Sequence, residues 1–513
     1  MRRPPTLDQR TSGILLHPTS LPGPHGSGDL GPAAYAFADW LAESGQSWWQ
    51  MLPVVPPAGG NSPYQSTSAF AGSPMLISLE LLASDGLLAP ADLVGGPTGA
   101  RVDFAAAGAF REARLRRAFE AFRGRPEALE GFLKYCEEER SWLDDYALYC
   151  ALKGQYASAA WTSWDAPLRA RRPEALAEAH ERLRPEVRYH QFVQYQFQKQ
   201  WSALRAHCER LGLGLMGDLP IFVAHDSADV WARQDEYFLR EDGSPSVVAG
   251  VPPDYFSKTG QRWGNALYRW DVHRARGYDW WVARLRSMLG KFHAVRIDHF
   301  IGFHRYWEID AACETAVEGR YRPGPGEHFF ETFGGALGGQ RVPIVAEDLG
   351  IVTPEVKAMR ERFKLPGMRV LMFSFGTDAG ARDYWPYTFP RDVVAYTGTH
   401  DNDTAQCWFD ELTAKANAGD AEATKQRAFV LRYLASDGKR VYWDLVRLAF
   451  QTASDQAIVP VQDLLGLGSD TRMNVPGTAE NNWTWRLEAG ALTAGLAAEL
   501  RQLTETYARD RPA

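Results

Sequence analysis

Five carboxylates stand directly behind short apolar runs. Asp218 follows Leu215-Met216-Gly217, Asp298 follows Ala294–Ile297, and Glu347 follows Val342–Ala346. Asp401 comes after Val393–Thr399 and His400, and Asp463 after Ile458–Val461 and Gln462. One such Asp is often a helix N-cap; five together point to one shared site. Clustered carboxylates serve either a divalent cation or acid–base chemistry. Arg296, His299 and His400 are interleaved with the acids, and no glycine-rich phosphate cradle precedes a helix. That mixture favours ionised acids handling sugar hydroxyls over a metal cage, so no metal and no cofactor is expected.

Glycosidic bond cleavage passes through an oxocarbenium-like state and uses such acids in distinct protonation states. One must be ionised to attack or stabilise the anomeric carbon. Arg296, two residues before Asp298, would hold Asp298 in that form. A second must carry a proton near neutral pH; Glu347, behind an apolar run and near other acids, suits a raised pKa. Asp401, with His400, would grip hydroxyls beside the reacting carbon.

The elements that must position these residues read as eight parallel strands: Ile14–Leu16, Trp48–Leu52, Leu213–Leu219, Ala294–Ile297, Ile344–Ala346, Met368–Phe375, Val393–Tyr396 and Ile458–Val461. Several are continuous apolar runs, as strands buried on both faces should be. Helical stretches intervene, among them Pro32–Glu43, Trp280–Leu289, Pro354–Phe363 and Ala421–Ala435. The pattern predicts an α/β protein built on one (β/α)8 barrel, with acids at the C-terminal mouth. Large, mainly helical insertions interrupt it. The first, about 80–200, is charged and helical; the second, about 222–278, reads as loop-like and includes a candidate lid at 248–268. Too little chain follows the last strand for a C-terminal β-sandwich.

The chain has 513 residues, 56 Lys plus Arg against 63 Asp plus Glu, and a net charge of −7, with no basic stripe. Nucleic acid is therefore not an expected partner. No run approaches the ~18 apolar residues of a membrane span, and Met1–Pro5 lacks an apolar continuation. Five scattered cysteines form no C-x-x-C pair; a cytoplasmic location follows as the expectation. The 18 Trp and 20 Tyr suit stacking on sugars, although most aromatics serve a core.

The segments Ala294-Val-Arg-Ile-Asp-His-Phe300, Val345-Ala-Glu-Asp-Leu-Gly350 and Gly398-Thr-His-Asp-Asn402 resemble the catalytic motifs of the α-amylase superfamily. The resemblance is closest to family 77 glycoside hydrolases, the 4-α-glucanotransferases. Further matching segments are Gly13–Gly23, Asn61–Gln65, Met216–Phe222, Gly250–Ser257, Arg472–Gly477 and Asn482–Arg486. The resemblance implies Asp298 as nucleophile, Glu347 as general acid/base and Asp401 as transition-state stabiliser, with Asp218, Arg296, His400 and Tyr64 in supporting or glucan-binding positions. His299, Gln462 and Asp463 at strand ends, and Asp254, Trp263 and Asn265 in the 248–268 loop, complete the expected substrate-binding set. The substrates implied are α-1,4-glucans and maltooligosaccharides. Departures from the family pattern fall at Ala266, Ile301 and Asp310, none of them a proposed acid.

The same acids could pass a covalent glycosyl intermediate to water or to a sugar hydroxyl. An aromatic loop able to exclude water and the absence of an appended β-sandwich favour transfer. Hydrolysis is the alternative, and a non-catalytic glucan-binding protein the more distant one.

Overall fold

A computed structural model describes residues 3–253, 257–339, 341–350, 352–376, 384–478 and 480–511. Twelve strands occur among them: β1 (Thr11–Leu15), β2 (Trp48–Gln50), β3 (Gly214–Pro220), β4 (Val247–Val251), β5 (Gln261–Ala266) and β6 (Ala294–Asp298), then β7 (Arg305–Asp310), β8 (Gly319–Pro323), β9 (Ile344–Ala346), β10 (Gly367–Val370), β11 (Val393–Tyr396) and β12 (Gln456–Pro460). Eight of them form one all-parallel sheet in the order β10-β11-β12-β1-β2-β3-β6-β9. Its edges nearly meet. The Ala346 N–H donates to the Pro366 carbonyl at 2.8 Å, and the Met368 N–H donates to Asp348 Oδ1 at 2.7 Å. A Cβ on Gly367 would lie 2.5 Å from Asp348 Oδ2, so only glycine lets β10 approach the end of β9. The result is the (β/α)8 barrel that the sequence predicts.

Each of the eight expected runs contributes a strand, two of them clearly shortened: the Trp48–Leu52 run pairs only over Trp48–Gln50, and the Met368–Phe375 run only as far as Val370. Beyond Val370 the Met368–Phe375 run leaves the sheet as a 3-10 helix, Leu371–Phe375, burying Leu371, Met372 and Phe375. A short, largely apolar run does not distinguish a buried strand from a buried turn of helix.

Between β2 and β3 lie the helices Phe104–Arg123, Pro126–Glu138, Arg140–Gln155, Pro173–Arg182 and Arg184–Leu211. The last is tied to the connection that follows β2 by two buried glutamines. Gln194 donates to the Gly72 carbonyl (2.9 Å) and accepts from its N–H (2.8 Å); Gln200 does the same with Ser78. Each amide thereby satisfies a backbone pair that no strand partner reaches. Gly212, at φ 77°, ends the helix in a left-handed cap and turns the chain into β3.

The stretch read as loop-like contains β4 and β5, which join β7 and β8 in a second, antiparallel sheet ordered β5-β4-β7-β8. Its strands carry little hydrophobic alternation: β8, Gly-Arg-Tyr-Arg-Pro, is largely exposed, as a charged edge strand ending in proline can be. Among the described residues, no helix is long and apolar enough to cross a membrane.

Candidate active site

Parallel pairing sets the register of the acids. Asp218 opposes Arg296 on β3 and β6, and Ile297 opposes Ala346 on β6 and β9. Asp298 ends β6 and Glu347 directly follows β9, so the two acids come next on neighbouring chains of the sheet. Arg296, almost wholly buried, bridges two acids: Nη1 donates to Asp218 Oδ2 at 2.6 Å and Nη2 to Asp298 Oδ1 at 2.8 Å. Tyr64 donates its hydroxyl to the same Asp218 oxygen at 2.8 Å. Side-chain exposure separates their duties: Asp218 shows 1% of its surface and Asp298 31%. Asp298 is open to a ligand; Asp218 backs the guanidinium.

Glu347 accepts two backbone N–H groups, from Leu349 at Oε1 and from His299 at Oε2, both at 2.8 Å. His299 sits at φ 53°, a left-handed conformation uncommon for non-glycine residues and often retained at functional sites. Desolvation, then the charge of Asp298, pushes the Glu347 carboxyl up to about 7, against the pull of Arg296 and the two N–H donors. Burial likewise lifts Asp218, with Asp298 adding to it and Arg296 opposing. Burial lowers His299, whose ring meets Trp263 edge-on at 4.9 Å.

Asp401 belongs to the opposite side of the mouth. Asn474 Nδ2 donates to its Oδ1 at 2.6 Å, and His400 Nε2 lies 3.3 Å from its Oδ2. Arg472 Nη2 donates to the Asp401 carbonyl at 2.5 Å. Tyr64 stacks on the His400 ring at 5.1 Å, with Trp483 5.8 Å from Tyr64. Tyr64 therefore touches both halves of the site.

Tyr64, Asp218, Arg296, Asp298, His299, Glu347, His400, Asp401 and Trp263 come together. Three expected substrate contacts instead turn inward. The Asn265 side chain is engaged by Gln65 (2.9 Å) and the Val223 carbonyl (2.9 Å). Gln462 donates to the Thr471 carbonyl at 3.2 Å. Asp463 uses both oxygens on Thr397 and Ala405, and burial raises its carboxyl to about 6. Asp254 lies outside the described residues, as do Tyr255 and Phe256. Asn474, Arg472 and Trp483 were missed as site residues, although their segments are among the matching motifs.

A family model described as 4-alpha-glucanotransferase matches residues 16–493. The chain is 48% identical over 510 residues to the 4-alpha-glucanotransferase of Thermus thermophilus, covering 98% of this chain and 99% of that one. Identity to the 4-alpha-glucanotransferase of Synechocystis is 46%, with the same coverage. Among solved structures, the amylomaltase from Streptococcus agalactiae in complex with acarbose superposes with a TM-score of 0.93 at 36% identity, covering 98% of this chain and all of that one. Catalytic-motif spacing, barrel, and similarity along nearly the whole length agree: the chain belongs to the 4-alpha-glucanotransferase family.

Proposed function

We propose that this enzyme transfers segments of α-1,4-glucan to the 4-hydroxyl of glucose or another α-1,4-glucan through a covalent glycosyl intermediate. Asp298 attacks the anomeric carbon. Glu347 delivers its proton to the departing glycosidic oxygen, then takes one from the incoming hydroxyl. Asp401 bonds hydroxyls beside the reacting carbon, contacts that tighten as the oxocarbenium character develops.

The observation that carries this reading is the electrostatic asymmetry of neighbouring strand ends. Asp298 has a guanidinium counter-ion at 2.8 Å, while Glu347 is lifted to about 7 by desolvation and by Asp298. Neighbouring strands run ~4.8 Å apart, compatible with the roughly 5 Å carboxyl spacing of double displacement. The β4–β5 region, with Trp263 against His299, would cover the mouth and keep water from the intermediate. Acarbose in the Streptococcus agalactiae complex supports an α-glucan as ligand. Five cysteines without a disulfide support a cytoplasmic setting.

Incubation with maltotriose tests the reading: glucose and longer maltodextrins should appear without a rise in total reducing ends. A steady rise would make hydrolysis the activity. Asp298→Asn should slow turnover by about 10^4-fold or more while glucan binding persists; a variant with wild-type turnover would remove Asp298 from its role.

A further inference from the structure

The loop carrying Asp401 begins behind β11 and ends at the helix Ala405–Asn417. Asp463, 2% exposed, lies beneath it in the first turn after β12 and reaches both of its ends. Thr397 Oγ1 donates to Asp463 Oδ2 at 2.5 Å, and the Ala405 N–H donates to Oδ1 at 2.7 Å. Inside the span, Asn402 Oδ1 accepts the Thr399 N–H and hydroxyl, each at 2.9 Å. Ser469 Oγ donates to Asp403 Oδ2 at 2.6 Å, so the same post-β12 segment also braces the loop from the side.

We infer that Asp463 is a positioning residue for the reaction: by bridging Thr397 and Ala405 it sets the place of the Asp401 carboxyl relative to the reacting sugar. The inference rests on the reading of Asp401 given above. Only a carboxylate accepts at both oxygens from these two donors; an amide accepts at one, and the Thr397 hydroxyl must rotate to accept its N–H instead. A leucine of similar size would make neither contact. Displacing a group that acts in the transition state by about 1 Å can cost ~100-fold in rate, and the cost should fall on kcat because both Asp463 oxygens are already engaged by Thr397 and Ala405.

The test measures kcat and KM for maltotriose disproportionation, with thermal unfolding, for Asp463→Asn, Asp463→Leu and Thr397→Val. Asp463→Leu should lower kcat by about 100-fold, Thr397→Val by about tenfold, and Asp463→Asn by less than the leucine variant, with KM near wild type. Asp401→Asn is the reference: Thr397→Val and Asp463→Leu should add little to its loss, because they act through the group it disables. Losses that multiply in the double variants, or a raised KM at unchanged kcat, overturn the positioning role. Should Asp463→Leu fail to fold, Thr397→Val carries the same comparison. If Asp401→Asn itself turns over at the wild-type rate, the reading of Asp401 falls first, and this inference with it.

Discussion

Two sides of the same barrel mouth hold their acids by different means. On the β3–β6–β9 side a buried guanidinium lies between Asp218 and Asp298, and the nearby Glu347 is shifted to about 7. On the β11–β12 side, the Asp401 carboxyl, 41% exposed, is met by the Asn474 amide and the His400 ring. Charges in a desolvated pocket interact strongly and move proton affinities; an amide fixes direction without adding charge. In the mechanism proposed above, the first side is where protons and electrons move, so protonation states must be set; the second grips hydroxyls, for which placement is enough.

The comparison breaks most severely at Arg296. Arg296→Met keeps much of the volume but leaves Asp218 and Asp298 without their counter-ion, and removing one partner of a buried pair costs about 3–5 kcal/mol. Turnover should be lost, and the melting temperature should fall at pH 8. The sign of the pH dependence is set by Asp218, whose carboxyl is already above its ordinary range and would rise further without Arg296. Its penalty is complete above the raised folded value and vanishes as pH drops below the unfolded one. The deficit should therefore shrink between pH 8 and pH 5. A deficit independent of pH would mean that packing, not charge, organises this side.

Asn474→Ala probes the other side and should disturb far less. It removes one hydrogen bond to a charged acceptor, in a partly exposed position. We expect kcat to fall roughly 10- to 100-fold, with a stability change within about 1 kcal/mol. Calorimetry beside steady-state kinetics checks both. A loss of stability as large as that of Arg296→Met would erase the distinction between the two sides.

The charged side was the more legible in sequence. Its carboxylates follow apolar runs and Arg296 lies within one, and buried parallel strands write themselves as such runs: Ile344–Ala346 ends where the structure ends it. Asn474 carried no comparable signal, because an amide in a loop advertises no chemistry until folding brings it 2.6 Å from Asp401, 73 positions away. Asp463 was visible as an acid, but strand-end spacing does not say whether a side chain faces the mouth or folds back under the neighbouring loop. The β4–β5–β7–β8 sheet escaped for a related reason: Gly264 and Asn265 interrupt β5, and β8 faces solvent, so neither shows a period of two.

The smallest effect is also the sharpest discriminator. In the proposed mechanism Glu347, raised to about 7, must hold a proton when the glycosidic bond breaks. As pH rises through that value the free enzyme loses its acid, and kcat/KM should drop about tenfold per unit on the alkaline limb. The position of this limb belongs to the charged side alone. Asn474→Ala should lower the whole profile yet leave the limb in place, since no charge near Glu347 changes. A limb displaced by a full unit in that variant would mean that the two sides are electrostatically one, and that Asp401 helps set the proton affinity it was taken only to accompany.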